Sequence, residues 1–189
     1  MEDISRGILI KCKKGDTEAF RIVIRHYQYF VCSVIYRFLA GKYAEEVEGF
    51  SREVFIRLFH FIKKCDPEKG AKFNTCVFAV IKSFCFNELR IKRLQLDAVG
   101  EKTSYAREEQ ENEPLSGELK YRVEKCMENI LDEQRLIFIL KEYEGFSYEE
   151  IAKFMEMSAK TVKAKLIITK IKLKDLLWPY LKEDHGKIL

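Results

Sequence analysis

The sequence predicts an all-α protein made of two small helical domains joined by a flexible acidic linker. Apolar residues recur every three or four positions in both halves of the chain, which is the spacing of one helical face, and no stretch has the pattern of a strand. Between the halves this periodicity stops, and 97–114 carries six carboxylates against Lys102 and Arg107. We therefore place the domains at 1–95 and 118–182, the linker at 96–117 and a tail at 183–189.

The N-terminal domain contains three long helical patterns. The first spans 20–38, with a small shift in its apolar face, and stops at Gly41. The second spans 47–62 and the third spans 73–84. Between the last two, 66–70 begins with Asp-Pro and ends with Gly, which is typical of a turn. Each pattern predicts a helix with one buried face.

Two phenylalanines of the last pattern, Phe78 and Phe86, lie off its main apolar stripe. Aromatic side chains of this kind can stack on unpaired bases, and they can equally pack against another helix. The sequence leaves both alternatives open.

The C-terminal domain carries a helix-turn-helix pattern. Ser147 and Glu150 have the spacing of a capping box, which predicts a helix from Tyr148. Glu156 and Met157 form the turn, and Ser158 is the expected N-cap of the next helix. In that second helix four residues are expected to face inward, namely Val162, Leu166, Thr169 and Leu173, and four lysines outward, namely Lys160, Lys163, Lys165 and Lys170. A helix with a cationic outer face suits the major groove of DNA, although a helical hairpin with a solvated lysine face has the same pattern.

Composition excludes several other classes. The 189 residues carry a net charge of +4, and the six cysteines and three histidines show no spacing typical of a metal site, so we expect reduced cysteines, no metal and no cofactor. No glycine-rich phosphate loop or catalytic constellation indicates an enzyme. The start of the chain lacks the features of a signal peptide, and no apolar run has the roughly 20 residues of a membrane span, so we expect a cytoplasmic protein without membrane insertion.

Taken together and in this order, four segments resemble the bacterial sigma factors. Residues 15–27, 52–59 and 66–73 resemble their region two, and 131–152 resembles their region four. The short length, with no further folded domain between the regions, is similar to the compact extracytoplasmic-function (ECF) sigma factors and to the related clostridial toxin-gene type.

The resemblance implies an alternative sigma factor that binds the RNA polymerase core through the coiled coil of its largest subunit and through its flap. It implies recognition of the minus-thirty-five promoter element as duplex, and capture of the minus-ten element as it opens. It also implies that an anti-sigma factor is a plausible partner. An ordinary helix-turn-helix regulator with an N-terminal sensing or dimerisation domain is the alternative, and binding to core polymerase separates the two.

Site residues follow from the same resemblance. For minus-ten binding and melting they are Lys69, Lys72, Phe73, Asn74, Lys82, Ser83, Asn87 and Arg90, with Lys92 and Arg93 as further phosphate contacts. For the minus-thirty-five element they are Ser158, Lys160, Thr161, Lys163, Ala164 and Lys165. For the core polymerase they are Glu45, Glu46, Glu48, Arg52 and Glu53.

Several positions depart from what the resemblance implies. Gly49 stands where an acidic residue is usual, and Glu156 stands where glycine is usual. Ile167 and Ile168 replace polar or cationic residues on the second helix, where they could form an apolar patch for a partner. Cys76 stands where an aromatic residue is common, Ser83 where asparagine is frequent, and Arg52 where glutamine is frequent.

Overall fold

The computed structural model describes residues 3–39, 43–64, 73–99 and 115–185, and these residues are helical with short connections. Eight α-helices occur among them, and no strand is found in these ranges, which confirms the all-α prediction. The helices are α1 (Arg6–Lys13), α2 (Thr17–Phe38), α3 (Val47–Lys64), α4 (Phe73–Val99), α5 (Leu115–Glu128), α6 (Asp132–Phe138), α7 (Tyr148–Met155) and α8 (Ala159–His185). A 3-10 turn, Ala44–Glu46, precedes α3, and a π-helical turn, Ile139–Tyr143, follows α6.

Helices α2, α3 and α4 form the core of the N-terminal domain along the three predicted apolar faces. The pattern over 20–38 is one continuous helix, whose first turn is capped by Asp16: its Oδ1 accepts from the amides of Glu18 and Ala19 at 2.9 and 3.0 Å. Helix α1 was not predicted from the sequence. It packs on α2 and α3 through Leu9 and Cys12, which are both buried.

The N-terminus of α4 is held by Asp3, a residue seventy positions earlier in the chain. Its two carboxylate oxygens accept from the backbone amides of Phe73 and Asn74 at 2.9 and 3.0 Å. The first amides of a helix have no partner within the helix, so the carboxylate satisfies them and also suits the positive end of the helix dipole. This contact fixes the first turn of α4 against the start of the described chain.

The C-terminal domain is a helix-turn-helix, as predicted, with α7 and α8 as its two helices. The capping box forms in both directions: Ser147 Oγ accepts from the amide of Glu150, and Glu150 Oε2 accepts from the amide of Ser147. Glu156 ends α7 with a left-handed backbone, at φ 57°. Ser158 caps α8 by accepting from the amide of Thr161 at 3.0 Å.

Helices occupy both ends of the predicted linker. Helix α4 continues through 96–99, and α5 already begins at Leu115. Residues 94–98 have the sequence Leu-Gln-Leu-Asp-Ala, and most of these residue types extend an existing helix at little cost. The remainder of the linker, 100–114, lies outside the described residues.

The two domains pack against each other. The ring of Phe78 in α4 stacks on Phe154 in α7, with centroids 4.4 Å apart, and Phe30 in α2 lies 5.7 Å from Phe146. Phe78 is only 1% exposed, so of its two predicted roles the structure supports packing. The other phenylalanine, Phe86, lies 5.5 Å from Phe38.

Candidate nucleic-acid and protein interfaces

Helix α4 presents a polar face formed by Ser83, Asn87 and Arg90. Ser83 and Arg90 are exposed and Asn87 is half-buried. Arg90 Nη2 donates to the Asn87 amide oxygen at 3.2 Å, which holds the two side chains together. The positions lie three and four residues apart, so all three side chains share one side of the helix. This face combines a cation with amide and hydroxyl groups, which are the groups that contact phosphates and bases.

Phe73 and Asn74, which were predicted to belong to the minus-ten surface, also make contacts within the fold. Phe73 is 4% exposed and packs edge-on against Tyr27, with ring centroids 5.6 Å apart. The Tyr27 hydroxyl donates to the Asn74 side-chain oxygen at 2.6 Å. Burial, helped by the charge of Asp3, raises the pKa of Tyr27, so this hydroxyl stays a donor. The other two predicted members of this part of the site, Lys69 and Lys72, lie outside the described residues.

Three cations of α4 that were predicted to contact DNA are engaged within the protein. Lys82 Nζ lies 3.5 Å from the carbonyl of Phe154. Arg93 forms two hydrogen bonds, of 2.8 and 2.9 Å, with the carboxylate of Asp132 in α6. Lys92 binds Glu46 at 2.8 Å. The first two contacts join the domains, so the C-terminal domain supplies oxygen atoms to groups that could otherwise bind phosphate.

A cleft of about 460 Å³ lies between the domains beside this polar face. Its lining combines Phe86 and Leu94 with polar residues, namely Asn87, Arg90 and Arg93 of α4 and Asp132 of α6. The cleft therefore borders the predicted melting residue Asn87. In this arrangement the C-terminal domain limits access to one side of the α4 polar face.

Helix α8 has the inner face predicted for it. Val162, Leu166, Thr169 and Leu173 are all buried against the rest of the domain. Lys160, Thr161, Lys163 and Ala164 are exposed on the first turns, and Ser158 is exposed at the cap. These residues form a cationic start to the helix, as expected for a surface that enters a DNA groove.

Two of the four lysines predicted to lie on the outer face, Lys165 and Lys170, form ion pairs within the protein. Lys165 is half-buried, and its Nζ binds Glu133 of α6 at 2.6 Å. Lys170 Nζ binds Glu142 of the π-helical turn at 2.9 Å. Both lysines lie on the flanks of α8, where acidic residues of α6 and the following turn are within reach. Lys160, Lys163 and Lys170 are nevertheless exposed, as predicted, and Lys165 is the half-buried member of the four.

The acidic residues predicted to bind core polymerase lie on the 3-10 turn and the start of α3. Glu45 and Glu48 are exposed, and Glu48 pairs with Arg52 one turn later. Glu46 pairs with Lys92, and Glu53 pairs with Arg57 at 2.9 Å. Gly49 faces open space. The surface keeps a negative edge at the exposed residues Glu45 and Glu48, although Glu48, like Glu46 and Glu53, is partly neutralised by its ion pair.

Arg135 is a structurally central residue whose role the sequence did not reveal, although it lies within residues 131–152, the segment that resembles region four. It is 3% exposed and donates to three backbone carbonyls, which belong to Phe38, Glu128 and Ile130. Burial lowers the pKa of this guanidinium, and nearby Asp132 acts in the opposite direction. Since arginine remains charged in proteins, the site holds a buried cation between the two domains.

Comparison with known families identifies both domains of this chain. A model of Sigma-70 region 2 matches residues 23–94, and a model of Sigma-70 region 4 matches residues 120–166. The two matches occur in the predicted order, one in each domain, and together they cover more than half of the chain. The chain belongs to the sigma-70 family.

Relatives of this sigma factor extend along nearly its whole length. The ECF RNA polymerase sigma-E factor of Escherichia coli K12 is 27% identical over 178 residues, which are 87% of this chain and 90% of that protein. The RNA polymerase sigma-H factor of Pseudomonas aeruginosa is 23% identical over 193 residues, with 96% and 98% coverage. This coverage supports the compact ECF type.

Solved structures share the fold. CnrH in complex with the cytosolic domain of CnrY aligns with a TM-score of 0.67 at 16% identity, covering 91% of this sigma factor and 96% of that chain. The sigma factor RpoE in complex with the anti-sigma factor NepR from Bartonella quintana aligns with a TM-score of 0.61 at 16% identity, with 84% and 96% coverage. In the described ranges of this sigma factor, every helix is too short or too polar to cross a membrane.

Proposed function

We propose that this protein is an alternative sigma factor, which binds core RNA polymerase, recognises the minus-thirty-five and minus-ten promoter elements and promotes DNA opening. The observation that carries the proposal is the match of 23–94 to Sigma-70 region 2 ahead of a region 4 helix-turn-helix. An ordinary helix-turn-helix regulator accounts for the C-terminal domain alone and leaves the N-terminal match without a reason. Sigma factors initiate transcription without being enzymes, and we place this one with the polymerase in the cytoplasm.

The two surfaces have different tasks in this proposal. The start of α8 enters the major groove of the duplex minus-thirty-five element, where Lys160 and Lys163 reach phosphates and base edges. The α4 face of Ser83, Asn87 and Arg90 meets the minus-ten element. A base that leaves the stack loses its stacking and pairing energy, and hydrogen bonds from Asn87 and a phosphate contact from Arg90 offset part of that cost.

Promoter binding requires the domains to separate. The two elements are named for positions about 25 base pairs apart, which corresponds to about 85 Å along B-form DNA. A compact chain of this size has a radius of gyration of only about 16 Å. The packed arrangement cannot span that distance, so the contacts of Phe78 with Phe154 and of Arg93 with Asp132 must break before both elements are bound.

The core polymerase is the partner that we expect to favour the separated form. Its surface must meet the negative edge at Glu45 and Glu48. An anti-sigma factor is a second expected partner. Such a protein is bound to RpoE in the structure from Bartonella quintana, and we propose that a comparable partner regulates this chain.

Run-off transcription tests the proposal. Purified full-length protein is added to core polymerase and fragments of genomic DNA, and the 5′ ends of the transcripts are mapped. We expect discrete transcripts that depend on both proteins, with shared sequence elements upstream. Core polymerase alone is the control. Sequence-specific DNA binding by the protein, without binding to core polymerase in a pull-down, would instead support the ordinary regulator.

A further inference from the structure

Helix α8 has a second apolar face, opposite the one that packs into the domain. Ile167, Ile168 and Ile171 are 50%, 54% and 56% exposed. Ile171 lies nine positions after the buried residue Val162, which is about two and a half helical turns. The two side chains therefore point in opposite directions. A surface helix normally carries polar residues on that side. The packing of the fold gives no reason for these isoleucines.

The isoleucine patch, which we define as Ile167 and Ile168, lies within reach of a DNA groove. Helix α8 begins at Ala159, so the patch is about 12 to 14 Å along the helix, in its third turn. The exposed residues Lys160 and Ala164 precede it on the same side. A recognition helix meets base edges mainly through its first turns. The patch therefore continues the surface that the proposed function assigns to the minus-thirty-five element.

The charges around the patch match a duplex groove. Lys160, Lys163 and Lys174 are exposed along the patch, and within the described part of the chain they form no ion pair. A DNA groove has phosphates along both walls and base edges on its floor. An apolar strip bordered by cations fits that arrangement. A protein bound over the patch would also cover Lys160 and Ala164, and so it would exclude DNA from the recognition helix.

The chemistry of the isoleucine side chain limits which bases the patch can recognise. Its side chain has no hydrogen-bond donor or acceptor, so it cannot recognise the polar groups of guanine, adenine or cytosine. The thymine 5-methyl group is the apolar feature that the major groove offers. Placed against a polar base edge, the isoleucine would remove water from that edge without replacing its hydrogen bonds. Thymine is therefore the base that these side chains favour.

We propose that Ile167 and Ile168 read thymine methyl groups in the minus-thirty-five element, so that the promoters of this sigma factor carry thymine at the positions facing the patch. This inference rests on the proposed function and adds the base class to it. It also gives a reason for the departure at these two positions: apolar readout replaces the hydrogen-bonding readout that polar or cationic residues would provide.

The test uses full-length protein with core polymerase and a promoter duplex recovered by run-off transcription. Each thymine of the minus-thirty-five element is replaced in turn by deoxyuridine, which removes the methyl group and keeps the pairing pattern. We expect at least one replacement to weaken binding about fourfold, the value of one buried methyl group. The Ile167→Ala/Ile168→Ala variant should bind the original promoter more weakly and no longer distinguish thymine from deoxyuridine.

The control is Ile22→Ala, which trims an isoleucine that is 46% exposed on α2 and should leave the deoxyuridine effect intact. Wild-type binding that is insensitive to every deoxyuridine overturns the inference, while the proposed function stands because the promoter was still bound and transcribed. An isoleucine variant that loses affinity for core polymerase also overturns it, by making the patch a protein contact. Failure to recover any promoter removes the proposed function and the inference together.

Discussion

Arg135 Nη1 donates a 2.8 Å hydrogen bond to the carbonyl oxygen of Phe38, the last residue of α2. The last carbonyls of a helix have no partner within it, and a cation there also suits the negative end of the helix dipole. The same guanidinium binds the carbonyls of Glu128, the last residue of α5, and of Ile130, in the turn between α5 and α6. One buried side chain thus connects the end of a helix in the N-terminal domain with a turn in the C-terminal domain.

We expect Arg135→Met to lower the free energy of unfolding by about 2 to 4 kcal/mol, because three backbone carbonyls, two of them buried, lose a charged donor. Urea denaturation measures the change. The matched control is Arg93→Met, since Arg93 also binds Asp132 but is 59% exposed in its side chain. It should cost less than about 1 kcal/mol. Equal losses for the two variants would contradict the role given to Arg135.

Replacing Glu156 with glycine should stabilise the protein. Glu156 has φ 57°, and a left-handed backbone costs a residue with a Cβ about 1 kcal/mol, whereas glycine adopts it freely. We expect Glu156→Gly to raise the free energy of unfolding of the C-terminal domain by about that amount, measured by thermal denaturation followed by circular dichroism. Glu156→Ala removes the same charge but keeps the Cβ, so it should bring no such gain. A gain from alanine would assign the effect to charge.

Gly49 is the place where polymerase binding can be strengthened. A Cβ at this position would meet no heavy atom within 4 Å, and glycine inside a helix costs about 1 kcal/mol relative to alanine. We expect Gly49→Glu to bind core polymerase about two- to fivefold more tightly, because it extends the negative edge of Glu45 and Glu48. Fluorescence anisotropy with labelled protein measures the affinity.

The control for that prediction is Gly49→Gln, which provides the same length and helix propensity without the charge. It should stabilise α3 and leave polymerase affinity close to that of the wild type. Reversing charge with Glu48→Lys should weaken binding. If glutamine and glutamate strengthened binding equally, helix stability and not charge would account for the effect.

Asn87→Ala should impair DNA opening more than promoter binding. The side chain lies on the α4 polar face next to Arg90, where it can hold an unstacked base. We expect a loss of open complexes of roughly tenfold on a duplex promoter, the size of one lost hydrogen bond of about 1.4 kcal/mol, and a smaller loss on a template already mismatched through the minus-ten element. Permanganate footprinting measures both. Equal losses would assign Asn87 to general affinity or folding.

Holding the two domains together should block transcription reversibly. Arg93 and Asp132 bind each other across the domain contact, so a variant with cysteine at both positions can be joined by a cleavable bis-maleimide. We expect at least tenfold less run-off transcript after cross-linking, and recovery once the linker is cleaved. Wild-type protein treated with the same reagent controls for its own cysteines. Full activity of the cross-linked variant would show that separation of the domains is unnecessary.

Local features of this sigma factor followed from the sequence alone. The faces of α2, α3 and α4, the capping box of Ser147 with Glu150, and the cap at Ser158 were all predicted and are present. Each depends on residues three or four positions apart, because helical hydrogen bonds and helical faces are set at that range. The inner face of α8 was predictable for the same reason.

Contacts between distant residues were decided by the tertiary structure. Asp3 caps α4, Phe73 turns into the core against Tyr27, Lys165 meets Glu133, and Phe78 stacks on Phe154. The partners of each pair are between 32 and 76 positions apart. Apolar and ionic attraction is not specific to one partner, so a side chain pairs with whichever group the packing of whole helices brings near it. The sequence therefore determined the apolar faces of α2, α3, α4 and α8 and the starts of α7 and α8, and the packing of the two domains determined which side chains remained exposed.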